Sequence, residues 1–119
     1  MKILDVEIDF DLFDADQVEK FEIEAKKVLE ASKTTKIEDL SFSEALRAEC
    51  QIVEDFFDNV FGRGISDKLF KGKKNLTEHI KAFEEIVSEK ARKQTELEAT
   101  LNKYLPNRDS RKKKWWTFY

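Results

Sequence analysis

The chain opens with an almost strict alternation of apolar and acidic residues. From residue 4 to residue 12 every second side chain is apolar, and the pattern over residues 3–13 is typical of a half-buried β-strand. The apolar positions are Leu4, Val6, Ile8, Phe10 and Leu12, and the acidic ones are Asp5, Glu7, Asp9 and Asp11. Such a strand must pair with another segment of the chain, of which residues 115–119 are the best internal candidate, or with a second copy.

Residues 41–62 have the three- and four-residue spacing of a buried helical face. Ser41 and Glu44 match a capping box at the start, and Gly62 supplies a left-handed stop at the end. The predicted inward positions are Phe42, Leu46, Glu49 or Cys50, Val53, Phe56, Phe57 and Val60. Helices on either side can bury their own apolar faces against this one.

Two further helices flank this central one. The first begins at an Asp14 cap and runs to about Ser32, and a connection over residues 33–40 follows it. Its predicted inward positions are Val18, Phe21, Ala25, Val28 and Leu29. After Gly62 we expect an elbow with a short helix capped by Ser66, and then a long last helix capped by Asn75 or Thr77.

The last helix is predicted to outrun the core. Its expected inward residues are Leu76, Ile80, Phe83, Val87 and Ala91, followed by the more widely spaced Leu97, Leu101 and Tyr104 before Pro106. Such an overhang needs a partner or remains partly solvated. The predicted fold class is therefore mainly α, with three principal helices, a short helical elbow and one N-terminal β-strand. Residues 1–106 form a single domain, and a basic-aromatic tail spans 107–119.

The charges are unevenly distributed. Residues 1–61 hold 17 acidic and 7 basic residues, whereas residues 62–119 hold 8 acidic and 15 basic ones. A subunit with opposite charges at its two ends can meet its copies head to tail, although folding can also cancel the asymmetry within one subunit. The contact we predict joins the acidic side chains Asp5, Glu7, Asp9 and Asp11 to the basic side chains Lys71, Lys73 and Lys74 of a neighbouring copy.

Residue types that carry catalysis or bind metals are sparse. The N-terminal acids lack the glycine and closing glutamate of a calcium loop, and His79 is the only histidine. Cys50 is the only cysteine, and no apolar run reaches the roughly 20 residues of a membrane span. We expect no catalytic residues, cofactor, metal or membrane contact, a structural His79 at or near the surface, and a cytoplasmic location.

The basic-aromatic tail is the one segment whose composition is typical of a ligand-binding segment. Its arginines and lysines could contact phosphates, and Trp115, Trp116, Phe118 and Tyr119 could stack on bases or lie at a lipid interface. They could equally dock on a partner or on the chain itself, or be incidental. An alternative function is thus that of a small nucleic-acid-binding regulator. For an enzyme, the sequence offers no set of residues that could form an active site.

Three stretches give the chain a likeness to a known family: DVEIDFDLFDAD, LRAECQIVEDFFDNVFGRG, and YLPNR before a basic tail. Over most of its length, to about Arg108, it resembles the small tail assembly chaperones of long-tailed phages and prophages of Gram-positive bacteria, although its aromatic ending departs from their polar ends. The likeness implies a mostly helical protein that multimerises, holds the tape-measure protein, recruits tail-tube subunits and is absent from the mature virion. It also implies a host cytoplasmic location and a longer, frameshifted product of the same gene. Lys112–Lys114 could be encoded by the slippery adenine run that such a frameshift needs.

Overall fold

The computed structural model describes residues 2–34 and 37–104, in which four α-helices follow a short β-hairpin. The strands are β1 (Lys2–Ile3) and β2 (Val6–Glu7). The helices are α1 (Ala15–Thr34), α2 (Phe42–Phe61), α3 (Ile65–Phe70) and α4 (Leu76–Tyr104), with one 3-10 turn at Ile37–Asp39 before α2. The mainly α class is confirmed.

The strand predicted over residues 3–13 is wrong in its extent: two short strands form instead, and residues 8–13 lie outside both. β1 pairs antiparallel with β2, Lys2 opposite Glu7 and Ile3 opposite Val6. Leu4 and Asp5 form the turn at φ values of 48° and 66°, the backbone that a two-residue hairpin turn requires. The backbone N–H and C=O groups of the two strands thus pair with each other. The strands are only a few residues apart, so closing the loop between them costs little entropy. The candidate pairing segment 115–119 lies outside the described residues.

Helix α1 begins where its cap predicts. The Asp14 carboxylate accepts hydrogen bonds from the Asp16 amide at 3.0 Å and the Gln17 side chain at 3.1 Å. The bond to Gln17, followed by the one to Asp16, lowers the pKa of Asp14. Phe21, Ala25 and Val28 are buried as expected, but Leu29 is 53% exposed, so its predicted place in the core is wrong.

Helix α2 has the predicted ends. The Ser41 side chain accepts from the Glu44 amide, and the Glu44 carboxylate accepts from the Ser41 amide, which completes the capping box. Gly62 follows the helix at φ 120°, a conformation that L side chains rarely adopt. The inward placement of Phe42 is wrong: it is 81% exposed, because it precedes the turn that first contacts other helices.

The elbow helix α3 is capped differently from the prediction. Gly64, not Ser66, occupies the cap position. Ser66 lies inside the first turn, where its amide and hydroxyl each donate to the Asp58 carboxylate at 2.9 Å. Asp58 thereby holds α3 against the end of α2.

The buried face of α4 is rotated by one residue from the predicted one. Asn75 caps the helix by accepting from the Glu78 amide. The buried residues are His79, Ala82, Ile86 and Lys90. Ile80 and Ala91 are exposed, so their inward placement is wrong, while Leu76, Phe83 and Val87 are half-buried. Two of these core positions hold a histidine and a lysine. A prediction based on the spacing of apolar residues therefore missed the face that is buried.

Aromatic rings fill the centre of the bundle. Phe56 of α2 makes ring contacts with Phe21, Phe57, Phe61 and Phe83, at centroid separations of 5.0 to 6.2 Å. The buried cluster also takes in residues of the hairpin and of α3, so the described elements share one core. The molecule measures 57 × 30 × 21 Å, and α4, about 44 Å long at 1.5 Å per residue, sets its long axis.

Candidate partner-binding surfaces

The second half of α4, residues 91–104, extends beyond the other helices, and we call it the α4 tip. Lys90 lies beside Glu22, their charged atoms 3.9 Å apart. Since α1 runs antiparallel to α4 and begins at Ala15, it has only seven residues left beyond Glu22, whereas α4 has fourteen beyond Lys90. The tip therefore extends past the start of α1 from about halfway along its length.

The α4 tip keeps the core-facing stripe of the helix. Leu97, Leu101 and Tyr104 lie at helical repeats of Ile86 and Lys90, on the face that is buried in the body. Leu97 is 36% exposed and Tyr104 is 69% exposed, while Leu101 is half-buried. The three residues predicted for partner binding thus share one face, and that face is largely uncovered.

Local interactions support the tip. Arg92 pairs with Glu89 and Glu96 along the helix, and these bonds, that to Glu89 first, raise the pKa of the Arg92 guanidinium. Thr95 donates from its hydroxyl to the Ala91 carbonyl at 3.1 Å. Such exposed pairs contribute little to stability, so the tip is held less firmly than the body.

An apolar groove of about 430 Å³ lies between α1 and α4, and we call it the α1–α4 groove. Its lining residues are Ala25, Leu29, Phe83, Glu84, Val87 and Ser88. The exposed side of Leu29 belongs to this groove. Sequence periodicity could not reveal this groove. The apolar residues along each helix have the same spacing whether the two helices touch or leave a groove between them.

The acidic residues predicted as a contact surface are exposed but differently placed. Asp5 lies in the hairpin turn, on a polar cleft of about 510 Å³ whose opposite wall is α4, and Glu7 and Asp9 are exposed on the following segment. Asp11 helps to begin α1, because its carboxylate accepts from the Phe13 amide at 2.9 Å and its amide donates to Gln17. The four carboxylates therefore do not form one continuous strand face.

The basic residues of the elbow divide into two groups. Lys71 and Lys73 are exposed beside the end of α3. Lys74 donates to both carboxylate oxygens of Glu54, at 2.7 and 2.9 Å. Lys74 therefore has an acidic partner within its own chain, and Lys71 and Lys73 are better placed to meet a neighbouring copy.

His79 is buried more deeply than the sequence indicated, with none of its surface exposed. Its ring stacks on Phe70 with centroids 3.7 Å apart and planes 9° from parallel. Nδ1 lies 2.6 Å from the Asn75 carbonyl and Nε2 lies 2.8 Å from a Glu54 carboxylate oxygen. Both neighbours are hydrogen-bond acceptors, so a ring nitrogen that carries a proton donates to one of them. The arrangement ties α4 to α2 and α3 and is closed to a substrate.

Lys90 is a buried lysine that the sequence analysis did not single out. Its side chain is 1% exposed, and Nζ lies 5.8 Å from the centroid of the Phe21 ring. Burial lowers the pKa of Lys90, and the charge of Glu22 partly opposes this effect. The only sequence signal for its position is its spacing of four residues from Ile86.

Other reactive groups are few in the part of the chain that the structure describes. Burial, assisted by the charge of Glu54, raises the pKa of the Cys50 thiol, which favours the unreactive thiol form. Residues 2–34 and 37–104 contain no cluster of three or more histidine, cysteine or acidic side chains suited to a metal ion. None of their helices is long and apolar enough to cross a membrane.

Comparison with protein families places the chain among relatives of unassigned role. Residues 4–115 match DUF6673, a family of unknown function. The chain belongs to this family. No curated protein and no solved structure matches it.

The DUF6673 match spans all of the described structure except β1. It begins in the hairpin turn and takes in all four helices, so both the α4 tip and the α1–α4 groove lie within the matched residues. The family carries no stated function, and the resemblance to tail assembly chaperones stays a prediction.

Proposed function

We propose that the protein is a non-enzymatic tail assembly chaperone of a long-tailed phage or prophage. It self-associates in the host cytoplasm and holds the tape-measure protein and tail-tube subunits while the tail is built. The observation that supports this most is the α4 tip, where the core-facing stripe of a helix continues past the other described helices and leaves Leu97 and Tyr104 exposed.

An uncovered apolar stripe on a helix is suited to binding another helix. Amphipathic helices pack into apolar grooves through residues at i, i+3 or i+4 and i+7, and Leu97, Leu101 and Tyr104 have this spacing. Full burial of one such side chain contributes about 1.5–3 kcal/mol. A long, largely helical client such as a tape-measure protein would offer many such contacts, and repeated weak contacts suit a chaperone that must later release its client.

The test is co-expression of the full-length protein with a tagged tape-measure protein from the same gene cluster, followed by affinity purification. We expect the protein to co-purify in many copies per client. A variant with Leu97→Asp and Leu101→Asp should be lost from the complex, because two charges then lie on the apolar stripe.

The matched control combines Ala99→Asp with Asn102→Asp, which adds the same two charges on the opposite side of the helix at exposed positions and should leave co-purification unchanged. A protein that is monomeric at all concentrations and never co-purifies with the tape-measure protein would rule the proposal out. The frameshifted product is tested separately, by asking whether the codons for Lys112–Lys114 form a slippery run followed by an overlapping reading frame.

A further inference from the structure

The α4 tip and the α1–α4 groove are two uncovered apolar surfaces on one chain. We infer that the tip of one copy lies in the groove of the next copy, so that subunits join head to tail in an open chain. This inference rests on the self-association in the proposed function and names the two surfaces that make it.

The tip cannot occupy the groove of its own molecule. The groove lies beside Phe83 and Val87, and α4 itself forms one of its walls. Leu101 lies fourteen residues beyond Val87 on the same helix, which places it about 21 Å further along the axis. A continuous helix cannot fold back onto its own side, so the tip must come from another copy.

The shapes of the two surfaces correspond. Each wall of the groove presents two apolar residues one turn apart, Ala25 and Leu29 on α1 and Phe83 and Val87 on α4. The tip presents Leu97 and Leu101 with the same one-turn separation. The groove volume of about 430 Å³ lies within the 300–1,000 Å³ or so of typical ligand sites, and two leucine side chains can enter it.

The charges at the edges of the two surfaces are also complementary. Glu84 is the charged residue that lines the groove, and it is exposed. Lys93 precedes Leu97 by one turn, so it lies at the edge of the apolar stripe of the tip. A second copy whose tip enters the groove can bring Lys93 to Glu84, whereas two tips packed on each other would leave Glu84 and the groove uncovered.

The contact uses a different patch on each partner, so it does not close on itself. Such heterologous contacts generate rings or open filaments. The tip buries only a few side chains, well below the roughly 800 Å² per partner of a stable interface. We therefore expect association that depends strongly on concentration.

The decisive experiment mixes two variants of the full-length chain. Leu101→Asp blocks the tip and leaves the groove intact, while Leu29→Asp blocks the groove and leaves the tip intact. Both residues are at least partly exposed, and circular dichroism and thermal unfolding check that both variants fold. By sedimentation velocity, the wild-type protein should form a series of oligomers and each variant alone should be monomeric.

An equimolar mixture of the two variants should form a heterodimer and nothing larger, because one intact tip and one intact groove remain for a single contact. Asn102→Asp, the matched charge control, should assemble like the wild type. A mixture that stays monomeric would overturn the assignment. Normal assembly by Leu29→Asp would also overturn it, since that result indicates that tips pack on tips or that the groove holds the residues after Tyr104.

A disulfide trap gives a second readout. Leu29→Cys and Leu101→Cys are made in separate chains, and Cys50 can remain because it is fully buried. Oxidation of the mixture should give a heterodisulfide in at least severalfold excess over either homodisulfide. A statistical mixture of the three disulfides would count against the tip-in-groove contact.

The charged pair is tested by reversal. Glu84→Lys and Lys93→Glu should each weaken association by about threefold, in line with an exposed ion pair, and the double variant should recover it because each copy then supplies both reversed charges. Failure of this inference and failure of the proposed function are distinguishable. Loss of heterodimer formation with the client still retained rejects only the surfaces, and heterodimer formation without client binding rejects only the chaperone role.

Discussion

The two halves of α4 have the same secondary structure and continue the same face, yet they are in opposite environments. In residues 76–90 this face is covered by α2, α3 and α1, and Ile86 is fully buried. In residues 91–104 the same face continues through Leu97, Leu101 and Tyr104 with much of its surface in solvent. The amino-acid types do not cause the difference. It arises because α1 begins about level with residue 97 and α2 has already ended.

The comparison separates two uses of an apolar stripe. The covered half contributes to the stability of the fold, since removing its side chains leaves cavities. The α4 tip contributes little to that stability, and its side chains are available to a partner. The predictions below test whether the two halves respond as differently as their environments indicate.

The largest contrast is expected between Ile86→Ala and Leu101→Ala. Ile86 is fully buried among aromatic and aliphatic side chains, so its truncation should lower the free energy of unfolding by about 2–5 kcal/mol. Leu101→Ala should change it by less than about 0.5 kcal/mol. Chemical denaturation at a low protein concentration, where association does not contribute, measures both. Equal losses would show that the tip is packed like the body.

His79→Ala tests the covered end of the helix. The substitution removes the stack on Phe70 and the bond to Glu54, and should cost about 2–3 kcal/mol. The neighbouring Ile80→Ala is the control, because Ile80 is 45% exposed and should cost less than about 1 kcal/mol. If His79→Ala lowers the free energy of unfolding no more than Ile80→Ala does, the buried histidine does not stabilise the contact between α4 and the body.

Lys90→Met tests the boundary between the two halves. Burial lowers the pKa of Lys90 in the folded protein, so the charged lysine destabilises the fold at neutral pH. A methionine of similar length should raise the free energy of unfolding by about 1 kcal/mol. Lys93→Met, one turn into the more exposed tip, should leave it nearly unchanged.

The pH dependence of the Lys90 effect follows from the direction of the shift. Below the lowered pKa the lysine is charged in both the folded and unfolded states and the cost is complete. Above its ordinary value of about 10.4 the lysine is neutral in both states and the cost disappears. The gain from Lys90→Met should therefore shrink as pH rises toward 10. A gain that grows with pH would contradict the burial effect.

The smallest effect on global stability is expected from Ala99→Gly in the α4 tip. Glycine disfavours the helix locally by about 1 kcal/mol, but few tertiary contacts depend on this segment. Amide hydrogen exchange should quicken in the tip while the midpoint of global unfolding stays unchanged. Ala82→Gly, at a fully buried position, should lower that midpoint. A lowered midpoint for both variants would show that the two halves unfold together.

Local features of the fold could be predicted from the sequence because local interactions set them. The capping box at Ser41 and Glu44 and the cap at Asp14 each depend on residues a few positions apart, and each forms as predicted. Helix α2 also ends at Gly62, but the backbone of this glycine, at φ 120° and ψ 147°, is not the left-handed one that was predicted. The overhang of α4 was also predictable, since its stripe thins after residue 91 without a helix breaker before Pro106.

Errors occurred where the outcome depends on a distant residue. Serine is a residue type that often caps helices, but Ser66 instead donates hydrogen bonds to the carboxylate of Asp58, eight residues earlier. The alternation of residues 3–13 predicts one strand, but the turn at Leu4 and Asp5 divides it because the nearest pairing partner is the chain itself. His79 and Lys90 count as polar in any pattern, and only contact with Phe70, Glu54 and Glu22 makes their burial possible.

The candidate site shows the same division. The sequence alone determined that Leu97, Leu101 and Tyr104 lie on one helical face, because the helical period requires it. Only the tertiary structure decided that this face continues the core stripe, that α1 is too short to cover it, and that Ala25 and Leu29 leave a groove beside Phe83 and Val87. Helix geometry follows from neighbouring residues, whereas exposure follows from the lengths and positions of helices distant in the sequence.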